Sequence, residues 1–353
     1  MKKIRLGISH GDINGVGYEV IFKTFSDPAM LELCTPIIYG SPKVATYHRK
    51  ALGLSANFTI IQTAEDADEE KLNLLPCFED EVKVDFGVPT PESGKAAFLA
   101  LEKVVKDYKE GKLDAIVTAP INKKNIQSEN FPFVGHTEYL EQCVGDGEKA
   151  LMILMNDQMK VALVTTHLPI RNVADAIKKE TIEQRLKTFY HSLCVDFRIS
   201  APRIAVLSLN PHAGDGGLLG TEEKEQIIPA IENMMQSGIP CFGPYSADGF
   251  FGAGQYSHFD GVLAMYHDQG LAPFKALSMS GVNYTAGLPL VRTSPDHGTA
   301  YDLAGKGIAD ETSFRQAVYT AIDIYRNRVK YEEMSKDPLK KQGRELRPER
   351  ISS

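Results

Sequence analysis

Tryptophan is absent from the 353 residues, and the five cysteines at 34, 77, 143, 194 and 241 form no Cys-x-x-Cys pair. An odd, scattered set of this kind argues against a disulfide framework or a thiolate zinc site. It reads as the reduced core thiols of a cytoplasmic protein. No apolar run approaches the ~18 residues of a membrane span. The segment after Met1-Lys2-Lys3 meets His10, Gly11 and Asp12 before a signal-peptide core can form. Basic residues are not in excess: 39 Lys and Arg against 46 Asp and Glu leave a net charge of −7, unlike a nucleic-acid-binding surface. Nucleotide fingerprints are missing as well. There is no G-x-x-x-x-G-K-[ST], and the one formal G-x-G-x-x-A match, at 145–150, precedes an expected strand where the mechanism needs it to follow one.

What is present is an ordinary globular composition, 43% hydrophobic and 24% charged. The length exceeds the ~250–300 residues at which single cores stop growing, which predicts two domains. Short β-branched runs at 4–9, 36–40, 114–119, 151–155, 161–166, 203–209 and 261–266 alternate with helical stretches. That alternation predicts an α/β fold with buried, largely parallel strands. Residues 96–108 place Ala97, Phe98, Leu101, Val104, Val105 and Tyr108 on one helical face, and 181–189 and 222–235 are further helix candidates. The acidic stretch 65–71 reads as a solvated element. From Tyr331 onward, mixed charges around Pro338, Gly343 and Pro348 predict a loosely held polar tail.

Several apolar strands end in a residue able to do chemistry: LGISHGD (6–12), IVTAPINK (116–123), LVTTHLP (163–169), VLSLNPHAGD (206–215) and VLAMYHDQG (262–270). Carboxyl ends of parallel strands form the ligand crevice of α/β sheets, so these groups predict one composite site. His167, His212 and His267 follow three separate strands. Three such imidazoles can converge on a divalent cation with positions left open, although each alone reads better as a satisfied core or surface histidine. Asp248 and Asp268 lie in similar loops and could orient a ligating imidazole or simply stay solvated.

Gly135-His136-Thr137-Glu138 can present donors to an anion, or serve as a helix N-terminus capped by Thr137. Lys275, Asn283 and Arg292 add cation and amide donors near the His267 loop. The run from Pro295 to Asp310 packs Gly298, Gly305 and Gly307 around polar groups, as in a loop whose backbone approaches a ligand, or as in a long surface loop.

These strings together resemble the 4-hydroxythreonine-4-phosphate dehydrogenase family of pyridoxal-phosphate biosynthesis. The matching pieces are GDINGVGYE (11–19), VTAPINK (117–123), GHTEYL (135–140), TTHLPI (165–170), LNPHAGDGG (209–217), YHDQGLAPFK (266–275) and RTSPDHGTAYDLAGKGIAD (292–310). The first motif is usually GDPxGIGPE in the family, and Ile13, Asn14 and Tyr18 depart from it here.

The resemblance implies the fold of isocitrate and isopropylmalate dehydrogenases: a two-domain α/β/α sandwich with the active site in the interdomain cleft at a dimer interface. Residues 1–130 with 291–330 would form one domain and 131–290 the second, with 331–353 as the tail. It implies one divalent cation (zinc, magnesium, manganese or cobalt) on His167, His212 and His267 drawn from both subunits of a homodimer. It further implies substrate contacts from His136, Thr137, Lys275, Asn283 and Arg292. NAD or NADP would be held by the loop of His297, Gly298, Thr299 and Asp302. The implied reaction oxidises 4-phosphooxy-L-threonine to 2-amino-3-oxo-4-phosphooxybutanoate, which decarboxylates to 3-amino-2-oxopropyl phosphate, with Lys275 as candidate proton-transfer group. Three readings stay open beside it: a dehydrogenase of 4-phosphothreonate or 4-phosphoerythronate, a metal-dependent hydrolase or aldolase, and a metabolite-binding protein without catalysis.

Overall fold

The strands join in one twelve-stranded mixed sheet flanked by helices, in a computed structural model that describes residues 3–78, 82–278 and 280–337. Six strands run parallel in one direction: β1 (Ile4–Ser9), β2 (Cys34–Gly40), β3 (Thr59–Ile60), β4 (Asn73–Pro76), β5 (Ala115–Thr118) and β12 (Arg292–Pro295), in the order β3-β4-β2-β1-β5-β12. A second parallel block holds β7 (Lys160–Leu163), β8 (Ile204–Leu207), β9 (Cys241–Tyr245) and β10 (Gly261–Ala264), in the order β7-β10-β8-β9. Between the blocks, β11 (Val282–Ala286) is antiparallel to both β12 and β6 (Leu151–Met155), and β6 is antiparallel to β7. The α/β class expected from the alternation is therefore present.

The helices form where local chemistry favours them. Helix α1 (Gly17–Phe25) follows β1 and is buried along nearly its whole length. Helix α2 (Pro91–Lys109) starts earlier than the periodicity suggests, because Thr90 and Ser93 form a reciprocal capping box and Pro91 sits at the first turn. Its Ala97, Ala100, Leu101 and Val104 are buried in the core. Helix α3 (His136–Val144) is followed by Gly145 and then β6, so the 145–150 glycines do stand in helix–turn–strand order. Helix α4 (Lys179–Val195) is longer than the 181–189 stretch expected. Helix α5 (His267–Leu277) follows β10 directly.

Helix α6 (Thr312–Ser335) buries Phe314, Ala317, Val318, Ala321 and Ile322, and Thr293 of β12 donates to its Ala317 carbonyl at 2.7 Å. Full burial of a side chain such as Phe314 contributes roughly 2–3 kcal/mol. The tail expectation is corrected at its start, since 331–335 continue α6; residues 338–353 lie outside the described residues.

Strands β3, β4, β9, β11 and β12 were not among the apolar runs of the sequence. Strand β11 (VNYTA) and strand β12 (RTSP) carry alternate polar residues, so neither presents the continuous apolar run of a buried strand. The register explains them. Asn283 stands opposite Leu154 and Ser294, and Thr285 opposite Met152 and Arg292. Directly paired residues share a face, so these polar groups and two apolar ones line one side of the sheet while α6 covers Thr293 on the other.

Candidate active site

That polar face is the floor of a cleft of about 270 Å³. Expected site residues His136, Thr137, His167 and His267 line it, together with Lys275, Asn283 and Arg292 and with His297 and Gly298 at the edge of the Gly-rich loop. The site is thus not built only from carboxyl ends of parallel strands. Arg292 and Asn283 rise from the mid-sheet antiparallel strands, where the two opposed parallel blocks meet.

Arg292 is the most constrained of these groups. It is 2% exposed, and its guanidinium donates from Nε and Nη2 to Thr118 Oγ1 (3.1 and 2.5 Å) and from Nη1 to Thr285 Oγ1 (3.1 Å). Burial pushes it down to about 9, so it is cationic at neutral pH. Hydroxyls take one N–H each from Nε, Nη1 and Nη2 without neutralising the group, which leaves a buried positive charge lining the cleft. Burial, with Arg292 and Lys123 nearby, holds His136 well below the usual histidine value and keeps its imidazole neutral. Among the described residues, four cleft-lining polar atoms have no hydrogen-bond partner: His136 Nε2, Glu138 Oε2, Asn283 Oδ1 and His297 Nε2. Buried polar atoms are nearly always bonded, so this group is shaped for a polar ligand.

Helix α3 begins at His136 with Gly135 as its N-cap, and Thr137 makes no capping bond. The capping reading of Thr137 is therefore replaced: the residue lies in the first turn, at the cleft. Lys275 donates to the Asp296 carbonyl at 3.2 Å, with its Nζ 4.0 Å from the Asp296 carboxylate.

Two cleft groups carry no role in the sequence reading. Lys123 Nζ donates to His167 Nε2 at 3.1 Å, and Glu138 Oε1 lies 3.4 Å from His167 Nδ1. The hydrogen bond with His167, before the lesser effect of Lys123, holds the Glu138 carboxyl below its usual value. Both residues stood inside quoted motifs, Lys123 at the end of VTAPINK and Glu138 after His136-Thr137. Thr118 also stood inside VTAPINK, while Thr285 had no signal; what marks each is its contact with the Arg292 guanidinium.

The three histidines are not gathered alike. The rings of His167 and His267 are 6.2 Å apart, and His267 Nδ1 meets Asp268 Oδ1 at 2.7 Å. In both, a carboxylate stands on Nδ1, while the Nε2 of His167 accepts from Lys123. His212 instead lines a neighbouring pocket with Asp248 and Asp268. It sits on an exposed turn where His212, Ala213 and Asp215 all adopt left-handed backbone (φ 52°, 53° and 42°). Among the described residues no three His, Cys, Asp or Glu side chains form a group able to hold a metal ion. His167 and His267 thus line the cleft together, while His212 is exposed beside a separate pocket. Of the expected cofactor residues, His297 and Gly298 reach the cleft, whereas Thr299 and the exposed Asp302 lie beyond its lining.

Fold and site together define an α/β protein with a polar, cation-lined cleft on the shared face of two opposed strand blocks. Residues 32–321 match the family model described as pyridoxal phosphate biosynthetic protein PdxA, and the chain belongs to that family. It is 65% identical over 346 residues to a 4-hydroxythreonine-4-phosphate dehydrogenase of Bacteroides thetaiotaomicron, covering 98% of this chain and 95% of the relative. It is also 38% identical over 337 residues to a D-threonate 4-phosphate dehydrogenase of Cupriavidus necator, covering 92% and 98%. A solved 4-hydroxythreonine-4-phosphate dehydrogenase from Klebsiella pneumoniae superposes with a TM-score of 0.80 at 31% identity, covering 92% of this chain and 98% of that one.

Proposed function

We propose that this protein is an NAD(P)- and divalent-metal-dependent dehydrogenase that oxidises the secondary hydroxyl of 4-phosphooxy-L-threonine. The β-keto acid formed would lose carbon dioxide to give 3-amino-2-oxopropyl phosphate, in the biosynthesis of pyridoxine 5′-phosphate. The observation carrying this reading is the buried Arg292 cation, held by two threonine hydroxyls beneath a cleft with unpartnered His136 and Asn283 atoms. An anionic substrate with several hydrogen-bonding groups supplies what each of these lacks.

Arg292 binds the anion in a two-pronged manner, and Lys123 and His136 extend the positive and donor surface beside it. Asn283 and Thr137 orient the hydroxyl-bearing carbons. Lys275, tethered to the Asp296 carbonyl, holds the proton exchanged with the reacting hydroxyl. His297, Gly298, Thr299 and Asp302 hold the dinucleotide. When bound, the cation on His167, His267 and a second copy's His212 would acidify the hydroxyl, and the nicotinamide would take the hydride. The homodimer this requires is supported by exposed Leu168, Ile170 and Leu218 beside those histidines. Residues 1–130 with 291–330 and residues 131–290 would act as the two lobes around the cleft.

No helix among the described residues is long and apolar enough to cross a membrane, and all five cysteines are free, which suits a cytoplasmic enzyme. The test follows nicotinamide absorbance with purified protein, each candidate metal, and NAD or NADP. Turnover of 4-phosphooxy-L-threonine above its 2-hydroxy analogue, D-threonate 4-phosphate, is the expected result. Preference for the hydroxy acid would move the substrate to that of the Cupriavidus relative. Absence of reduction with either would overturn the dehydrogenase reading.

A further inference from the structure

The first motif, GDINGVGYE at 11–19, lines no part of the cleft, yet every one of its residues is buried. Asp12 is 1% exposed and accepts four hydrogen bonds from neutral donors. Its Oδ1 takes the Asn14 backbone N–H at 2.9 Å. Its Oδ2 takes Asn125 Nδ2 at 2.7 Å, Tyr301 Oη at 2.9 Å and Ser93 Oγ at 3.0 Å. One carboxylate oxygen thus joins the N-terminus of α2, the loop bearing Lys123 and the Gly-rich loop bearing His297.

The rest of the motif reaches the same Gly-rich loop. Val16 N–H donates to the Thr299 carbonyl at 3.1 Å, and a Cβ at Gly15 would stand 2.7 Å from that oxygen, so the close approach requires glycine there. Glu19 Oε1 accepts the Ala309 N–H at 2.8 Å, and Lys23, paired with Glu19, donates to the Gly307 and Ala309 carbonyls at 3.0 and 2.6 Å. Asn14, where this chain departs from the usual motif, donates to the Val88 carbonyl at 2.8 Å and accepts from the Asp85 N–H at 2.9 Å.

We propose that Gly11–Glu19 is a latch for the Gly-rich loop, with Asp12 as the positioning residue that holds Tyr301 and Asn125 on one oxygen. It thereby sets the dinucleotide-facing loop against the loop that carries Lys123. This rests on the reading of residues 297–302 as the cofactor loop. The latch orders those residues before the dinucleotide arrives, so that binding does not bear the cost of ordering them.

The test compares Tyr301→Phe, Asp12→Asn and His297→Ala with the parent protein. The readouts are Kd for NADH and NADPH by fluorescence, KM for the phosphorylated substrate at saturating dinucleotide, Tm, and amide exchange across 299–305. Tyr301→Phe is expected to raise the dinucleotide Kd about tenfold, the size of one lost hydrogen bond to a charged acceptor. Substrate KM stays at the parent value, Tm falls by no more than about 5 °C, and exchange across 299–305 quickens. Asp12→Asn releases Asn125 as well and raises both constants; should it fail to fold, Tyr301→Phe alone carries the test. If His297→Ala weakens dinucleotide binding while Tyr301→Phe leaves it unchanged, the latch is overturned and the functional reading stands. If neither variant changes it, the cofactor loop lies elsewhere and both fall.

Discussion

Arg292 and Thr118 stand 174 positions apart, yet the guanidinium places both Nε and Nη2 on the one threonine hydroxyl. The pairing holds the charge at the cleft without cancelling it. Replacing Arg292 by Ala is expected to raise KM for the phosphorylated substrate by about 100-fold, in line with removal of a buried charge partner. Arg292→Lys keeps the charge but not the planar fork and should recover only part of the loss. Steady-state kinetics at saturating dinucleotide check both, and an unchanged KM would assign Arg292 to the framework alone.

Removing the His212 imidazole by substitution with Ala should empty the metal site and abolish oxidation with the circular dichroism unaltered. Because His212 lies apart from His167 and His267 within one chain, inactive His212→Ala and His267→Ala proteins should regain activity when refolded together. A mixed pair would then contain one complete site. Metal content by elemental analysis and activity of the mixture decide the matter; no recovery would place all three ligands in one chain.

Glu138 lies on the Nδ1 side of His167, opposite the Nε2 that Lys123 holds and that a metal would take over. Glu138→Gln should weaken cobalt or zinc binding by about 10- to 100-fold, as losses of such supporting carboxylates do. Titration calorimetry with the metal alone reads this directly, and parent-like affinity would contradict it.

His10 and His48 flank Tyr18, with ring centroids 5.1 and 5.0 Å from it, and both imidazoles are fully buried. His48 Nε2–H donates to the Ile13 carbonyl at 2.8 Å. Burial lowers each to about 4, from an ordinary 6.5. The unfolded chain therefore takes up protons below pH 6.5 that the folded protein refuses. Stability is complete above that pH and falls as pH drops toward 4, by roughly 3 kcal/mol for each histidine. Tm measured from pH 7 to 4 should decline, and His48→Gln should flatten the slope. A parallel decline in the variant would assign the loss to other groups.

Asp196 at the end of α4 accepts from Arg328 Nε at 2.7 Å and from the Tyr284 hydroxyl at 2.6 Å, and Arg328 also donates to Tyr284 at 2.8 Å. This triad joins α4, β11 and α6. Arg328→Ala leaves the Asp196 charge buried and should destabilise the fold by about 3 kcal/mol, seen as a lower urea midpoint.

Local pattern carried the alternating strands and helix α2, because burial repeats along a strand or helix at spacings readable in the chain. It also marked the histidines and Arg292, whose strings are long and unusual. It could not show β11 and β12, whose polar residues look like loop until the cleft they face is known. Nor could it separate Thr137 the cap from Thr137 the cleft residue, since the difference is two positions in the start of α3.

Everything that depends on remote partners came with folding. Thr118 under Arg292, Lys123 on His167, Asp12 beneath Tyr301 and the separation of His212 from the other imidazoles are contacts between distant segments. Side-chain type and spacing prescribe which groups a segment offers. Sheet order and loop packing settle which of them meet, because a hydrogen bond depends on distance in space and carries no trace of separation along the chain.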